Sequence, residues 1–251
     1  MVKVTAHRGF SGRYAENTVL SVKKAVRLGV DQVEVDVWLS LDHKVVVIHD
    51  KALKRLTGRK GRITRMTYDQ MRGLHLKDGE HRIPLLENIF PLTKKSTILN
   101  IEVKSVWAAK PVADLVKKHK MQNKVIVSSR SILALKVIKN ELPGVKTAFI
   151  FFASSSWKRG IFVTSIAKMF FRLVQHYVLF LAKAVKTNHL NISYPFATTA
   201  FIKRAQKHGY EVNVWTVNTK ALMKKLIKRK ANGIITNYPD KLKKVIKELE
   251  K

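Results

Sequence analysis

Short apolar, β-branched runs recur along the chain, most of them followed by an amphipathic stretch, and this alternation restricts the fold more than any other feature. The runs are "VKVTAH" at 2–7, "QVEVDVWLS" at 32–40, "KVVVIHD" at 44–50, "STILNIEVKS" at 96–105, "KVIVSS" at 124–129, "VKTAFIFF" at 145–152, "HLNISYP" at 189–195, "YEVNVWTV" at 210–217 and "NGIITNYP" at 232–239. Between them, "VLSVKKAVRLG" at 19–29 has apolar residues at helical spacing and stops on Gly29. Glycine just past the last periodic residue marks a helix C-terminus, because it enters the left-handed backbone region without a Cβ clash. Helical periods also occur near 111–120, in "SILALKVIKNEL" at 131–142, and at 198–208, 219–230 and 240–250.

About eight strand–helix units in a chain of this length is the pattern of a closed (β/α)8 barrel. A doubly wound open sheet would carry a glycine-rich phosphate loop after an early strand, and neither GxGxxG nor GxxxxGK[ST] is present. The expected class is therefore α/β, a (β/α)8 barrel. Residues 51–84 break the alternation. They are basic, contain glycine and are long for a β-to-α connection, so they are expected to be a small insertion after the second strand unit, over the barrel mouth. No linker rich in Pro, Gly or Ser divides the chain, and 1–251 reads as a single domain.

In such a barrel, chemistry sits at the C-terminal ends of the strands. Side chains alternate across a strand, so Glu34 and Asp36 share one face while Val33, Val35 and Val37 share the other. Both faces of a barrel strand are enclosed. The valines suit the helix side, which leaves two carboxylates pointing into the interior, where unpaired charge is costly. In "NIEVK" the same alternation puts Glu102 and Lys104 on one face. Three inward carboxylates, with no cysteine in the chain, suit a hard cation bound through oxygen, Mg²⁺ or Ca²⁺, better than zinc. The competing reading fills the cluster with Arg8 and Lys104 as an ion-pair network without metal.

His7 closes the first strand and His49 closes "VVVIHD". One such histidine alone is more simply a satisfied core or rim residue. Two at strand ends, beside a carboxylate trio, fit phosphoryl transfer, in which one imidazole takes a proton and another gives one. Asp50 follows His49 and either orients an imidazole or points away. Arg8 and Lys104 can neutralise charge on a phosphate, Arg through its fork and Lys as a point charge.

Together, "AHRGFSGRYAENT", "EVDVWLSLDHKVVVIHD", "NIEVK", "VNVWTVN" and "GIITNYP" resemble the glycerophosphodiester phosphodiesterase family, in the family's order and over nearly the whole chain. The resemblance implies a TIM barrel with a small insertion, here 51–84, and hydrolysis of glycerophosphodiesters to glycerol 3-phosphate and an alcohol with a divalent metal. By the same resemblance His7 and His49 are the acid–base pair, Glu34, Asp36 and Glu102 the metal ligands, Arg8 and Lys104 phosphate contacts, and Trp215 a wall for the glycerol moiety. The implied route uses the glycerol 2-hydroxyl as nucleophile and passes through a cyclic phosphate. Two positions depart from the family pattern. Ala15 precedes "ENT" where proline is usual, and Asn237 stands for the acid of the late "TDxP".

Charge adds a partner class. Forty-nine Lys and Arg against seventeen Asp and Glu leave a formal net of +32, which attracts phosphate-bearing partners of many kinds. From Leu142 to Tyr210 there is no Asp or Glu at all. Inside that stretch, "WKRGIFVTSIAKMFFRLVQHYVLFLAKAVK" at 157–186 mixes aromatics, aliphatics and cations. Its cations argue against a transmembrane span. It reads either as an interfacial helix pair on anionic lipid or as the fifth barrel helix with its connection. Met1 runs directly into the first strand with no leader pattern, so a cytoplasmic location is expected, with peripheral contact to an anionic membrane as the extension of that reading. The functional alternatives are a lysophospholipid-acting relative, lysophospholipase D-like, and a polyanion-binding barrel without activity. No signature of specific nucleic-acid binding supports the latter.

Overall fold

The computed structural model describes residues 1–151 and 175–250. Nine strands form within them: β1 (Lys3–Ala6), β2 (Gln32–Leu39), β3 (Val45–Val47), β4 (Ile98–Val103), β5 (Val125–Ser129), β6 (Lys146–Phe151), β7 (His189–Ser193), β8 (Glu211–Trp215) and β9 (Gly233–Thr236). Eight pair in parallel in the cyclic order β1-β2-β4-β5-β6-β7-β8-β9 and close on β1. This is the closed (β/α)8 barrel that the alternation predicts.

One run departs from a simple count of barrel strands. The segment at 44–50 is not a stave of the barrel. β3 pairs antiparallel with Val37–Leu39 of β2, on an edge that the short β1 leaves open above Val33. Because β3 runs back towards the barrel, it returns the chain to the level of Asp36, whose carbonyl accepts from Ile48 N–H at 2.9 Å.

Among the described residues the longer helices around the barrel are α1 (Val19–Arg27), α2 (Ala109–Lys118), α3 (Ile132–Glu141), α4 (175–184), α5 (Thr199–Lys207), α6 (Lys220–Lys228) and α7 (Pro239–Leu249). α1 starts at a reciprocal cap. Thr18 Oγ1 accepts from Ser21 N–H at 3.1 Å while Ser21 Oγ accepts from Thr18 N–H at 3.2 Å, which satisfies two donors that a helix start leaves free. The stretch at 157–186 divides. Its residues up to 174 lie outside the described residues. The rest includes α4, whose Val178, Leu179 and Ala182 join the main core, while Tyr177 and Phe180 are exposed. No helix among the described residues is long and apolar enough to cross a membrane.

The two faces of the strands separate as alternation requires. Val33, Val35 and Val37 are fully buried in the apolar core between barrel and helices. The barrel interior is polar: Glu34, Asp36, Asn100, Asn191 and Asn213 are buried, and Asn213 Nδ2–H donates to Asn191 Oδ1 at 2.9 Å. A second, smaller apolar cluster, Val46, Ile48, Leu53, Ile63, Met71, Leu76 and Ile83, joins β3 to the 51–84 region.

Several helices end on a left-handed residue. Gly29 and Gly209 serve after α1 and α5, but Lys120 and Lys230 serve after α2 and α6, with φ of 55° and 60°. A Cβ in that region costs about 1–2 kcal/mol, against about 0.5–1 kcal/mol of extra chain entropy lost by glycine. Lys230→Gly is therefore expected to stabilise the fold by about 0.5–1 kcal/mol, seen as a rise of about 2 °C in a thermal melt. An unchanged or lower melting temperature would contradict the strain argument.

His189 begins β7 at the bottom of the barrel and is 2% exposed. Burial pulls its pKa down to about 4, only partly opposed by Glu211. Unfolding restores the ordinary value of 6.5, so the unfolded chain takes up a proton between the two. The corresponding stability is complete above the unfolded value and is lost as pH falls, by about 2 kcal/mol near pH 5. Urea melts at neutral pH and near pH 5 should show that loss, and His189→Gln should flatten it. An equal decline in the variant would assign the effect elsewhere.

Candidate active site

The opening "HRG" turn shapes one side of the barrel mouth. Arg8 and Gly9 both adopt left-handed backbone, φ 54° and 75°. The turn aims two consecutive N–H groups at one residue: Arg8 N–H donates to Glu34 Oε2 at 2.8 Å and Gly9 N–H to the Glu34 carbonyl at 3.1 Å. A Cβ at Gly9 would lie 2.4 Å from Ser21 Oγ, so both the backbone region and the packing require glycine there. His7, just past β1, donates its own N–H to the Thr236 carbonyl at 2.9 Å.

The carboxylates come from adjacent strands. Asp36 pairs with Glu102 and Glu34 with Asn100 across β2 and β4. One oxygen from each of Glu34, Asp36 and Glu102 lies within 4.8 Å of the others. Two oxygens held about 2.3–2.6 Å from a single Ca²⁺ are at most about 4.6–5.2 Å apart, so the spacing suits one oxygen-bound cation.

Two cations from the chain are already engaged there. Lys104 Nζ is 2.7 Å from Asp36 Oδ1 and also binds Glu102 Oε1. Arg8 Nε is 3.1 Å from Asp36 Oδ2, and its Nη1 reaches Glu16 at 3.1 Å. Burial alone would raise the Asp36 pKa, but Lys104 and Arg8 outweigh it and hold the carboxyl well below its usual range. Glu34 goes the opposite way. Burial, then repulsion from Asp36 and Glu102, push it well above the ordinary value. Glu34 Oε1 is buried with no hydrogen-bond partner. Arg8 and Lys104 therefore do not fully compensate the cluster, and an all-oxygen donor set with a buried orphan oxygen fits a hard divalent cation.

The two histidines occupy different environments. His7 Nδ1 is 2.7 Å from Asn237 Oδ1, and its Nε2 is 3.9 Å from Glu34 Oε2. Burial and Arg8 lower its pKa to about 3, so it is a neutral imidazole at neutral pH. An aspartate at position 237 would have favoured the imidazolium; asparagine positions the ring without that charge. His49 Nδ1 is 2.7 Å from Asp50 Oδ1, so Asp50 orients the imidazole next to it in sequence. Trp38 Nε1–H donates to the His49 carbonyl at 2.9 Å, and His49 is near enough for its charge to act on Asp36. Trp215 ends β8 at the same mouth, half-buried, with Nε1 lacking a hydrogen-bond partner. Among the described residues, no side-chain hydrogen bond joins it to the histidine–carboxylate cluster.

Three further residues belong to the arrangement. Asn17 clamps Asp36 with both ends of its amide: Nδ2–H donates to Asp36 Oδ2 at 2.9 Å and Oδ1 accepts from Asp36 N–H at 3.1 Å. It does so from left-handed backbone, φ 58°, which asparagine tolerates better than most residues. Glu16 accepts from Arg8 and, at 2.6 Å, from Arg55 of the 51–84 region. Arg55 also binds Asp50. These three link the "ENT" stretch, the His49–Asp50 pair and residue 55 into one network.

Residues 7–241 match the sequence pattern of the Glycerophosphoryl diester phosphodiesterase family. The chain belongs to this family. It is accordingly an enzyme, a phosphoric diester hydrolase. It is 29% identical over 257 residues to a glycerophosphodiester phosphodiesterase of Caldanaerobacter subterraneus subsp. tengcongensis, with 98% of each chain covered. It is 25% identical over 272 residues to human lysophospholipase D GDPD1, spanning 96% of this chain and 85% of the relative. Among solved structures, an Oleispira antarctica phosphodiesterase in complex with the product sn-glycerol-3-phosphate superposes with a TM-score of 0.81 at 25% identity, covering 98% of this chain and 96% of that one.

Proposed function

We propose that the enzyme hydrolyses glycerophosphodiesters to glycerol 3-phosphate and an alcohol, assisted by a divalent cation held by Glu34, Asp36 and Glu102. The observation that carries this reading is the convergence of those carboxylates with His7, Arg8 and Lys104 at one barrel mouth. A cation bound there, Mg²⁺ or Ca²⁺, would act as a Lewis acid on the phosphoryl oxygens.

The chain's own groups supply the proton traffic. His7 begins as a neutral imidazole, the form that accepts a proton, and takes it from the glycerol 2-hydroxyl as that oxygen attacks phosphorus. The bond from phosphorus to the alcohol breaks, and His49, oriented by Asp50, protonates the departing oxygen. In the second half the roles reverse. His49 takes a proton from water, the new P–O bond forms, the ring P–O bond opens, and His7 returns its proton to the 2-oxygen. Arg8 and Lys104 balance charge on the phosphate, and Trp215 walls the glycerol moiety. The 51–84 region, through Arg55, is the cover that braces Glu16 and Asp50 within a single catalytic domain.

A second reading has its own observation. Trp107, in the loop after β4, is 80% exposed, and Leu133, at the start of α3, is 62% exposed. Large exposed apolar side chains beside a mouth suit an acyl chain or a lipid surface. That reading makes the substrate a lysophospholipid, as the name of the human relative states for that protein. Turnover of glycerophosphocholine and lysophosphatidylcholine by the same preparation separates the two. Release of glycerol 3-phosphate from the water-soluble diester is the expected result. Activity on lysolipid alone would favour the second reading, and turnover of neither would contradict both.

A further inference from the structure

The bottom of the barrel carries a second concentration of cations, at the end opposite to the active site. A cavity of about 450 Å³ is lined there by Lys146 at the start of β6, Lys183 and Lys186 at the end of α4, His189 at the start of β7, His208 after α5, and Glu211 at the start of β8. Glu211 is the one acid among these residues, and it is already committed to Lys3 Nζ at 2.7 Å. Among the described residues no carboxylate lies within 4 Å of Lys146, Lys183 or Lys186.

Lysines at helix C-termini often serve the helix itself, by meeting its last carbonyls. That need is met here by backbone. Val185 N–H donates to the Leu181 carbonyl, Lys186 N–H to that of Lys183 and Thr187 N–H to that of Ala182, at 3.0–3.1 Å. Nearby Lys139 shows what an engaged lysine looks like: its Nζ donates to the Val145 carbonyl at 2.9 Å and to Asn188 Oδ1 at 3.3 Å. Among the described residues the side chains of the three pocket lysines have no such partners.

His189 is the second, independent observation. It is almost fully buried, yet neither ring nitrogen has a hydrogen-bond partner. Its Nδ1 is 3.4 Å from Glu211 Oε2, the oxygen that Lys3 already occupies. Buried polar groups are rarely left this way unless something else satisfies them. A neutral imidazole always carries one N–H donor, and at neutral pH this ring is neutral.

We propose that this cavity is a phosphate-binding site separate from the catalytic centre, in which Lys146, Lys183 and Lys186 neutralise the anion and His189 donates a ring N–H to it. The phosphate belongs either to a small free anion or to the headgroup of an anionic lipid. Both offer the same acceptor oxygens, and charge-assisted bonds to several lysines are the strong kind.

The test uses the whole enzyme with inorganic phosphate as probe, following the histidine ring signals by ¹H–¹⁵N NMR. A saturable shift of the His189 ring is expected, and Lys183→Gln/Lys186→Gln should weaken that binding by at least about tenfold, as loss of two charged donors implies. His7 and His49 report the catalytic site separately. Turnover of glycerophosphocholine by the double variant should match the parent enzyme, so failure of this proposal is distinct from failure of the catalytic reading. A second arm sediments the protein with vesicles of equal parts phosphatidylcholine and phosphatidylglycerol. Binding that the double variant loses, and that free phosphate displaces, makes lipid headgroup the source. A His189 shift with phosphate but no such vesicle binding makes it a free anion. A His189 ring that moves with neither probe, or moves equally in the double variant, overturns the proposal.

Discussion

Glu34→Gln is expected to stabilise the fold while removing catalysis. The buried carboxylate has one oxygen without a partner and is raised by desolvation and by its neighbours Asp36 and Glu102. Replacing it with a neutral amide of the same shape removes a buried like-charge repulsion, worth about 1–2 kcal/mol. The Arg8 N–H still finds the amide oxygen as acceptor. Loss of one charged ligand should lower divalent-cation affinity and reduce kcat/KM by at least about 10²-fold. Thermal melts with and without Mg²⁺ or Ca²⁺ provide the check. Cation should raise the melting temperature of the parent enzyme, through preferential binding to the folded state, and leave the variant nearly unchanged.

Asp36→Asn makes the contrasting case. Asp36 is the partner of Lys104, Arg8 and both ends of the Asn17 amide, so its loss removes the charge shared by two largely buried cations and leaves Lys104 only Glu102 and Arg8 only Glu16. Breaking a buried pair from one side costs about 3–5 kcal/mol. A stable, inactive Glu34 variant beside a destabilised Asp36 variant would separate a cation site from a purely structural ion-pair network. If Glu34→Gln kept full activity, and EDTA left the parent enzyme's turnover unchanged, the metal reading would fail.

The difference between those two carboxylates was only half legible in the sequence. Alternation in "VEVDV" shows that Glu34 and Asp36 share the inner face, because a two-residue period needs no tertiary information. What makes them unequal is contact at long range: Lys104 from β4, and Asn17 from the turn before α1. Asn17 carried a weak local signal, since asparagine is among the few residues at ease in left-handed backbone. The network through Glu16 and Arg55 carried none. Arg55 is one cation among many in a basic segment, and only folding places it between Glu16 and Asp50. β3 shows the same limit in backbone form. Its composition is that of a strand, but periodicity does not distinguish a barrel stave from a hairpin strand, and the choice depends on how far β1 extends along β2.

His7→Ala and His49→Ala are each expected to lower kcat by about 10²–10⁴-fold, the usual contribution of a positioned proton donor or acceptor, with a much smaller change in KM. The double variant should lose little more than the worse single one, because the two act on one proton-transfer sequence. The division of roles has a sharper test. A glycerol phosphodiester with p-nitrophenolate as leaving group needs almost no protonation of the departing oxygen. The His49→Ala defect should shrink on that substrate, while the His7→Ala defect persists, because the attacking 2-hydroxyl must still lose its proton. The environments support this order. His7 is held by a neutral amide at Asn237 and driven below its ordinary pKa by burial and Arg8, which keeps it free to accept a proton. His49 is oriented by a carboxylate, which fixes the direction of its ring and so aims Nε2 away from Asp50. Rescue of His7→Ala, rather than His49→Ala, by the better leaving group would exchange the two roles while leaving the site itself in place.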